Sequence, residues 1–240
     1  MTFLFTRHCT RAYPRMLLAA AIAAASLMAL PAMANSFRLQ SGSVVLDERD
    51  GRSDFNVTNT GDEPILLLTK LEDLDDEAMA KNILVTPAIT RIDPGQSQIV
   101  HFTLKQGVKL DREYLLKAAF EGVPQKMEDG ARLTIRQEVG FIAQPKSVAV
   151  EQYPWKALQA KTNGNQITLT NPSKHVVRLG PSITLQPSGV NLMLPHPYIM
   201  PGQSVSMANE NVAEASQLSI TPLSRYGFVQ ETTASLDIAR

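Results

Sequence analysis

Cysteine is almost missing: the 240 residues hold one, Cys9, so no disulfide closes within the chain and no thiolate metal cluster forms. An excess of charge is missing too. With 23 basic against 23 acidic side chains the formal net charge is zero, which argues against bulk electrostatic binding to nucleic acid. Aromatic residues reach only 6%, and the single Trp155 offers no stacking platform for a carbohydrate module; a core role is expected for it. Beyond the leader His101, His175 and His196 are too far apart in sequence to form a ligand pair, and no acidic cluster completes a set. The acidic run Glu72 to Glu77 lacks the sixth-position glycine and distal glutamate of a calcium loop. G-x-S-x-G, Walker and G-x-G-x-x-G motifs are absent as well. The expectation is a protein that is no enzyme and carries neither cofactor nor metal.

What is present begins with a leader. Arg7, Arg11 and Arg15 precede an apolar run from Met16 to Leu30, then Pro31 and the small-x-small triplet Ala32-Met33-Ala34. That is the layout of a secretory signal with cleavage after Ala34, and the run is too short and alanine-rich for a spanning helix. The expected product is a periplasmic chain without membrane insertion. It carries no cysteine and must be held by a hydrophobic core.

From Asn35 onward the apolar residues alternate. Val44 to Leu46, Asp54 to Thr58, Ile65 to Thr69, Gln98 to Leu104 and Arg132 to Arg136 read as strands, with turn clusters at 59–62 and 93–96. Only Lys70 to Lys81 has a helical look, and it reads as a loop or a single turn. A weak internal repeat runs through the chain: Val57-Thr58-Asn59-Thr60 returns as Leu169-Thr170-Asn171-Pro172, and Pro94-Gly95-Gln96-Ser97 as Pro201-Gly202-Gln203-Ser204. The expected fold is all-β, two tandem β-sandwiches, with a signal peptide over 1–34, a first domain over 35–145 and a second over 146–240. Pro145 marks the boundary because proline cannot continue a central strand.

Particular strings carry a family resemblance over nearly all of this region. They are Val57-Thr58-Asn59, Val85-Thr86-Pro87, Arg91-Ile92-Asp93-Pro94-Gly95-Gln96, Phe120-Glu121-Gly122-Val123-Pro124, the strand ending at Pro145, Ile167 to Pro172, and Met200-Pro201-Gly202. In order and spacing the chain resembles the periplasmic pilus chaperones of bacterial chaperone–usher systems. The resemblance implies two immunoglobulin-like domains in a boomerang arrangement. It implies a chaperone that binds pilin subunits by donor-strand complementation through the last strand of domain one (the family's strand G) and delivers them to an outer-membrane usher. Exposed strand edges also allow a self-capping homodimer.

The donor strand would be Ala131 to Ala143. Leu133, Ile135, Gln137 and Val139 share one face; Arg132, Thr134, Arg136 and Glu138 share the other. Alternation alone does not separate subunit binding from packing inside the strand's own domain. The family's better-known members clamp the subunit's C-terminal carboxylate with an Arg and a Lys, and the matching positions here are Ser43 and Gly140, which cannot do so. Lys117, seven residues before Pro124 and flanked by Leu115, Leu116, Ala118 and Ala119, is the candidate replacement anchor, with Arg91 or Arg136. A lysine in such surroundings needs a counter-charge or a water-facing tip, so a snorkelling lysine fits equally well. The rival reading of the whole chain is an exported structural or adhesive sandwich, such as a minor pilus component. The short lead from Asn35 to Gln40 and the lack of cysteine disfavour it.

Overall fold

The computed structural model describes residues 37–74, 78–125 and 134–239. The signal peptide, its cleavage point after Ala34, and Arg132 and Leu133 of the expected donor strand lie outside the described residues.

Nine strands come before Pro145: β1 (Phe37–Leu39), β2 (Ser43–Asp47), β3 (Arg52–Asn59), β4 (Ile65–Asp73), β5 (Ile83–Thr86), β6 (Ile89–Ile92), β7 (Ser97–Leu104), β8 (Tyr114–Pro124) and β9 (Ile135–Gln144). They form two sheets, ordered β1-β3-β7-β5 and β2-β9-β8-β4-β6. Alternation does the work predicted of it. In β3 the inward residues Phe55, Val57 and Asn59 are buried while their neighbours meet solvent. Phe55 stacks on Phe120 at 5.2 Å, and Phe102 meets Phe141 at 5.2 Å, joining the two sheets through a small aromatic cluster. Such pairs contribute about 0.5–1.5 kcal/mol each beyond the area they bury.

The remaining strands are β10 (Gln159–Asn163), β11 (Gln166–Thr170), β12 (Val177–Leu179), β13 (Ser182–Gln186), β14 (Asn191–Met193), β15 (Tyr198–Ile199), β16 (Ser204–Ala208), β17 (Gln217–Ile220), β18 (Pro222–Leu223) and β19 (Ala234–Ala239). Their sheets run β14-β13-β17-β19-β10-β11-β16 and β15-β12-β18 around a second core. Trp155 belongs to that core and is 2% exposed, as its isolation in the sequence led one to expect. A third, smaller cluster of Leu115, Ile142, Val176 and Met200 joins the sandwiches. It explains the near-continuous apolar run of β8. Leu116, Ala118 and Phe120 fill the first core, whereas Leu115 faces the second sandwich.

The internal repeat is a repeated corner. Asn59 and Asn171 are both fully buried. Asn59 Nδ2 donates to the carbonyls of Glu63 and Ile92, and Asn171 Nδ2 to those of His175 and Ile199. Each backbone N–H reaches the residue after a Pro-Gly turn: Asn59 to Gln96 at 2.9 Å, Asn171 to Gln203 at 2.9 Å. Gly95 and Gly202, at φ +72° and +75°, take the left-handed conformation those turns require.

One expectation needs correcting. The segment from Lys70 to Asp73 is no loop but the end of β4, paired with β8 through Asp73 and Leu116. Its charges are the reason: Glu72 lies opposite Lys117, so an acidic stretch that reads as solvated in isolation has a cross-strand partner. A single 3-10 turn follows at Ala80–Asn82.

Candidate functional site

The site forms where β9 changes neighbours. On one side β9 pairs with β8 from Ile135 to Ala143. On the other, β2 runs parallel to it, but only from Ser43 opposite Gly140 to Asp47 opposite Gln144. Before Ser43 the chain leaves for the other sheet, where Phe37 to Leu39 pair with β3. Among the described residues, nothing pairs with the outer edge of β9 over 135–139. Ile135, Gln137 and Val139 share the half-buried face of this segment; Arg136 and Glu138 are exposed. Ile135 and Val139 touch the first core, and Gln137 Nε2 donates to the Phe37 carbonyl at 2.7 Å.

The charged residues sort differently from the sequence-based grouping. Lys117 and Arg136 do come together, through two shared carboxylates. Lys117 Nζ lies 3.1 Å from Glu72 and 3.3 Å from Glu138; Arg136 lies 2.7 Å from Glu72 and 2.9 Å from Glu138. Two cations and two anions leave the cluster neutral. The Arg136 hydrogen bond holds the Glu72 carboxyl below the ordinary carboxylate range; burial opposes it, and the weaker hydrogen bond from Lys117 adds to it. Hydrogen bonds donated to the same carboxylates raise Lys117 and Arg136, Glu72 contributing most to each. Arg91 stands apart. It sits on β6 opposite Leu66, six residues and roughly 20 Å along β4 from Glu72. It is occupied by Asp93 and Gln125.

Sequence reasoning missed the residues that tie the two sandwiches together. Glu113 is buried and accepts the Val176 N–H at 2.9 Å, while its own N–H donates to the Lys174 carbonyl. Arg225 Nη2 donates to buried Gln144 Oε1 at 3.0 Å and lies 3.9 Å from Glu113. Arg178, on β12, is the third. Its Nη1 donates to Ser43 Oγ at 2.6 Å and to the Arg225 carbonyl at 3.1 Å. The one available signal was the kind applied to Lys117, a cation between apolar neighbours: Val177 and Leu179 flank Arg178, and both are fully buried.

Arg178 also explains Gly140. A Cβ at 140 would lie 3.1 Å from Arg178 Nη1 and 3.1 Å from Ser43 Oγ. The glycine is therefore the space the guanidinium occupies. Ser43 and Gly140, equated through the resemblance with the clamp positions, are register partners, and the cation between them comes from the second sandwich.

Comparison with known proteins fits this geometry. A family model for the pili and flagellar-assembly chaperone PapD N-terminal domain matches residues 36–149. An uncharacterized fimbrial chaperone of Escherichia coli K12, YhcA, is 34% identical over 187 residues, covering 77% of this chain and 83% of its own. The Pseudomonas aeruginosa CupB2 chaperone superposes with a TM-score of 0.68 at 19% identity, covering 84% of this chain and 100% of that one. A chain of the Salmonella enterica complex of SafA pilin with the SafB chaperone gives 0.70 at 19% identity, covering 85% and 97%. The chain belongs to the family of pilus-assembly (fimbrial) chaperones. Its fold is the two-sandwich fold that these solved structures share.

Proposed function

We propose that this protein is a periplasmic chaperone that holds pilin subunits by donating the edge of β9 to them. The observation that carries the reading is the open edge over 135–139, which exposes backbone donors and acceptors beside half-buried Ile135 and Val139. An incomplete sandwich that lacks a strand would find there both a hydrogen-bonding ladder and alternate apolar side chains. Fully burying Ile135 and Val139 contributes at most about 1.5–3 kcal/mol each, less the part already gained against their own core. No nucleotide is consumed, because the subunit completes its fold on the donated strand and later exchanges it for a neighbour's at an outer-membrane usher. Export with cleavage after Ala34, a division of the domains at Pro145, extension of the donor face to Leu133, and mutual capping of two free copies belong to the same reading.

Recovery of subunits with the tagged protein from its own host's periplasm tests it. Wild type captures small β-rich subunits; Ile135→Glu and Val139→Glu, folded by circular dichroism, capture none. Capture retained by both folded variants overturns strand donation.

A further inference from the structure

One strand able to close the open edge of β9 is the chain's own. β2 runs parallel to β9 with Ser43 opposite Gly140. If the residues before Ser43 simply continued β2 backward, they would lie along 135–139, with Gly42 opposite Val139, Gln40 opposite Gln137 and Arg38 opposite Ile135. Such a segment is tethered, and its effective concentration beside the edge is on the order of millimolar, which a free subunit must outcompete. The chain turns away instead, and Phe37 to Leu39 pair with β3 in the opposite sheet.

The phase of the side chains explains the turn. Along β2, Val44 and Leu46 face the first core, and Val45 between them faces the second sandwich. Continued backward, β2 would put Arg38 and Gln40 on the core side, beside Ile135 and Gln137, and Phe37 and Leu39 on the outer side. That would take a guanidinium out of water against an apolar neighbour and leave two large apolar side chains exposed. In β1 the same residues are in phase with the other sheet: Phe37 is buried and Leu39 packs on the first core, while Arg38 and Gln40 meet solvent. Three contacts hold this arrangement. The Phe37 ring fills space left by Gly122, where a Cβ would lie 2.8 Å from it, and Gly122 is the β8 residue opposite Ile135. The Phe37 carbonyl accepts from Gln137 Nε2. Gln40 donates its N–H to the Asn56 carbonyl at 3.1 Å and accepts the Asn56 N–H on Oε1 at 2.8 Å.

We propose that residues 37–40 hold the donor edge open: one residue out of phase with β9, and pegged by Phe37 over Gly122, they are kept from covering 135–139. Phe37, Arg38, Leu39, Gln40 and Gly122 are then positioning residues, which act on subunit binding without touching the subunit. A preceding segment of the right phase would close the edge from within the same chain, and the offset excludes this. The assignment rests on strand donation by β9 and adds what keeps that strand available.

The test shifts the phase in the full chain by two routes. Deleting Ser41 brings Leu39 beside Gln137 and Phe37 beside Ile135 on the core side of a continued β2. The combination Phe37→Thr, Arg38→Val, Leu39→Thr and Gln40→Val reverses the phase without changing the length. Hydrogen exchange at those amides of 135–139 that do not pair with β8 is read beside subunit capture, at a concentration where gel filtration shows a single copy. In wild type these amides exchange fast. In either variant, folded by circular dichroism, their exchange slows at least about tenfold and capture falls at least about tenfold. Slow exchange in wild type overturns the assignment, as does fast exchange in the folded variants, with or without loss of capture. Failure of both variants to fold overturns it too, since residues 37–40 would then serve the fold itself. Slowed exchange with capture intact upholds the closed edge and sinks strand donation instead.

Discussion

Both sandwiches end in a strand that changes neighbours partway. In the first, β9 pairs with β8 from Ile135 to Ala143 and with β2 only from Gly140. In the second, β19 pairs with β17 over Ala234–Asp237 and with β10 only at Ile238 and Ala239. The backbone edges are thus alike, but the side chains are not. β19 points Leu236 into its own core, where it is 9% exposed, and flanks it with Ala234 and the exposed Ser235 and Asp237. β9 keeps Ile135 and Val139 half-buried, with spare apolar surface beside the open edge. If β9 is the donor proposed above, an unpaired edge does not by itself make a donor strand. Bulky side chains that their own core has only partly taken in are the second requirement.

The largest effect that would sharpen this contrast is in binding. Trimming β9 to the likeness of β19, with Ile135→Ala and Val139→Ala together, should cut subunit capture at least about tenfold, since it removes most of the apolar contact. Pull-down yield against a melting curve checks it. The mirror change, Leu236→Ala, should cost the second sandwich about 2–5 kcal/mol in denaturant unfolding through the cavity it leaves. Below the unfolding transition it should leave capture unchanged. Loss of capture from the folded variant would break the contrast.

A smaller and deliberately equal pair of effects tests the repeat. Asn59→Ala and Asn171→Ala each orphan two or more buried carbonyls and should each cost roughly 1–3 kcal/mol. Similar midpoint shifts in chemical denaturation would show that the two corners are energetically the same device. The smallest effect is in the charge network, which has no counterpart on β19 among the described residues. Glu72 titrates below its ordinary value near 4.5, so it stabilises the fold above that pH and ceases to as pH falls through its depressed value. Glu72→Gln should remove this acid-side loss and cost at most about 1 kcal/mol near neutrality, where exposed pairs are screened. Unfolding at about pH 7 and at about pH 3 would measure both.

The fold was legible because its signals are local. Alternation in β3 and β7 and the two Asn–Pro-Gly corners are each contained within a few tens of residues. The end of β4 was not legible, since Glu72 acquires its meaning only opposite Lys117 on β8. The alternating face of β9 could be read off as far as its period. That its edge is open depends on where β2 begins and on β1 leaving for the other sheet, which no single segment states. The charges were the least legible. Lys117 drew notice for its apolar neighbours, yet it proves to be neutralised. Arg178 has the same flanking pattern, but its partner Ser43 comes from the other sandwich, far away in sequence.

Gly140 restricts the routes by which such a protein can change. A side chain there would meet the Arg178 guanidinium and the Ser43 hydroxyl, each 3.1 Å from its first carbon. A cation placed on β9 at 140 and one brought from β12 at 178 would therefore crowd the same space. A side chain introduced at 140 would push the guanidinium aside from its place beside Ser43. The two residues should accordingly be inherited as a pair, although they sit on different sandwiches.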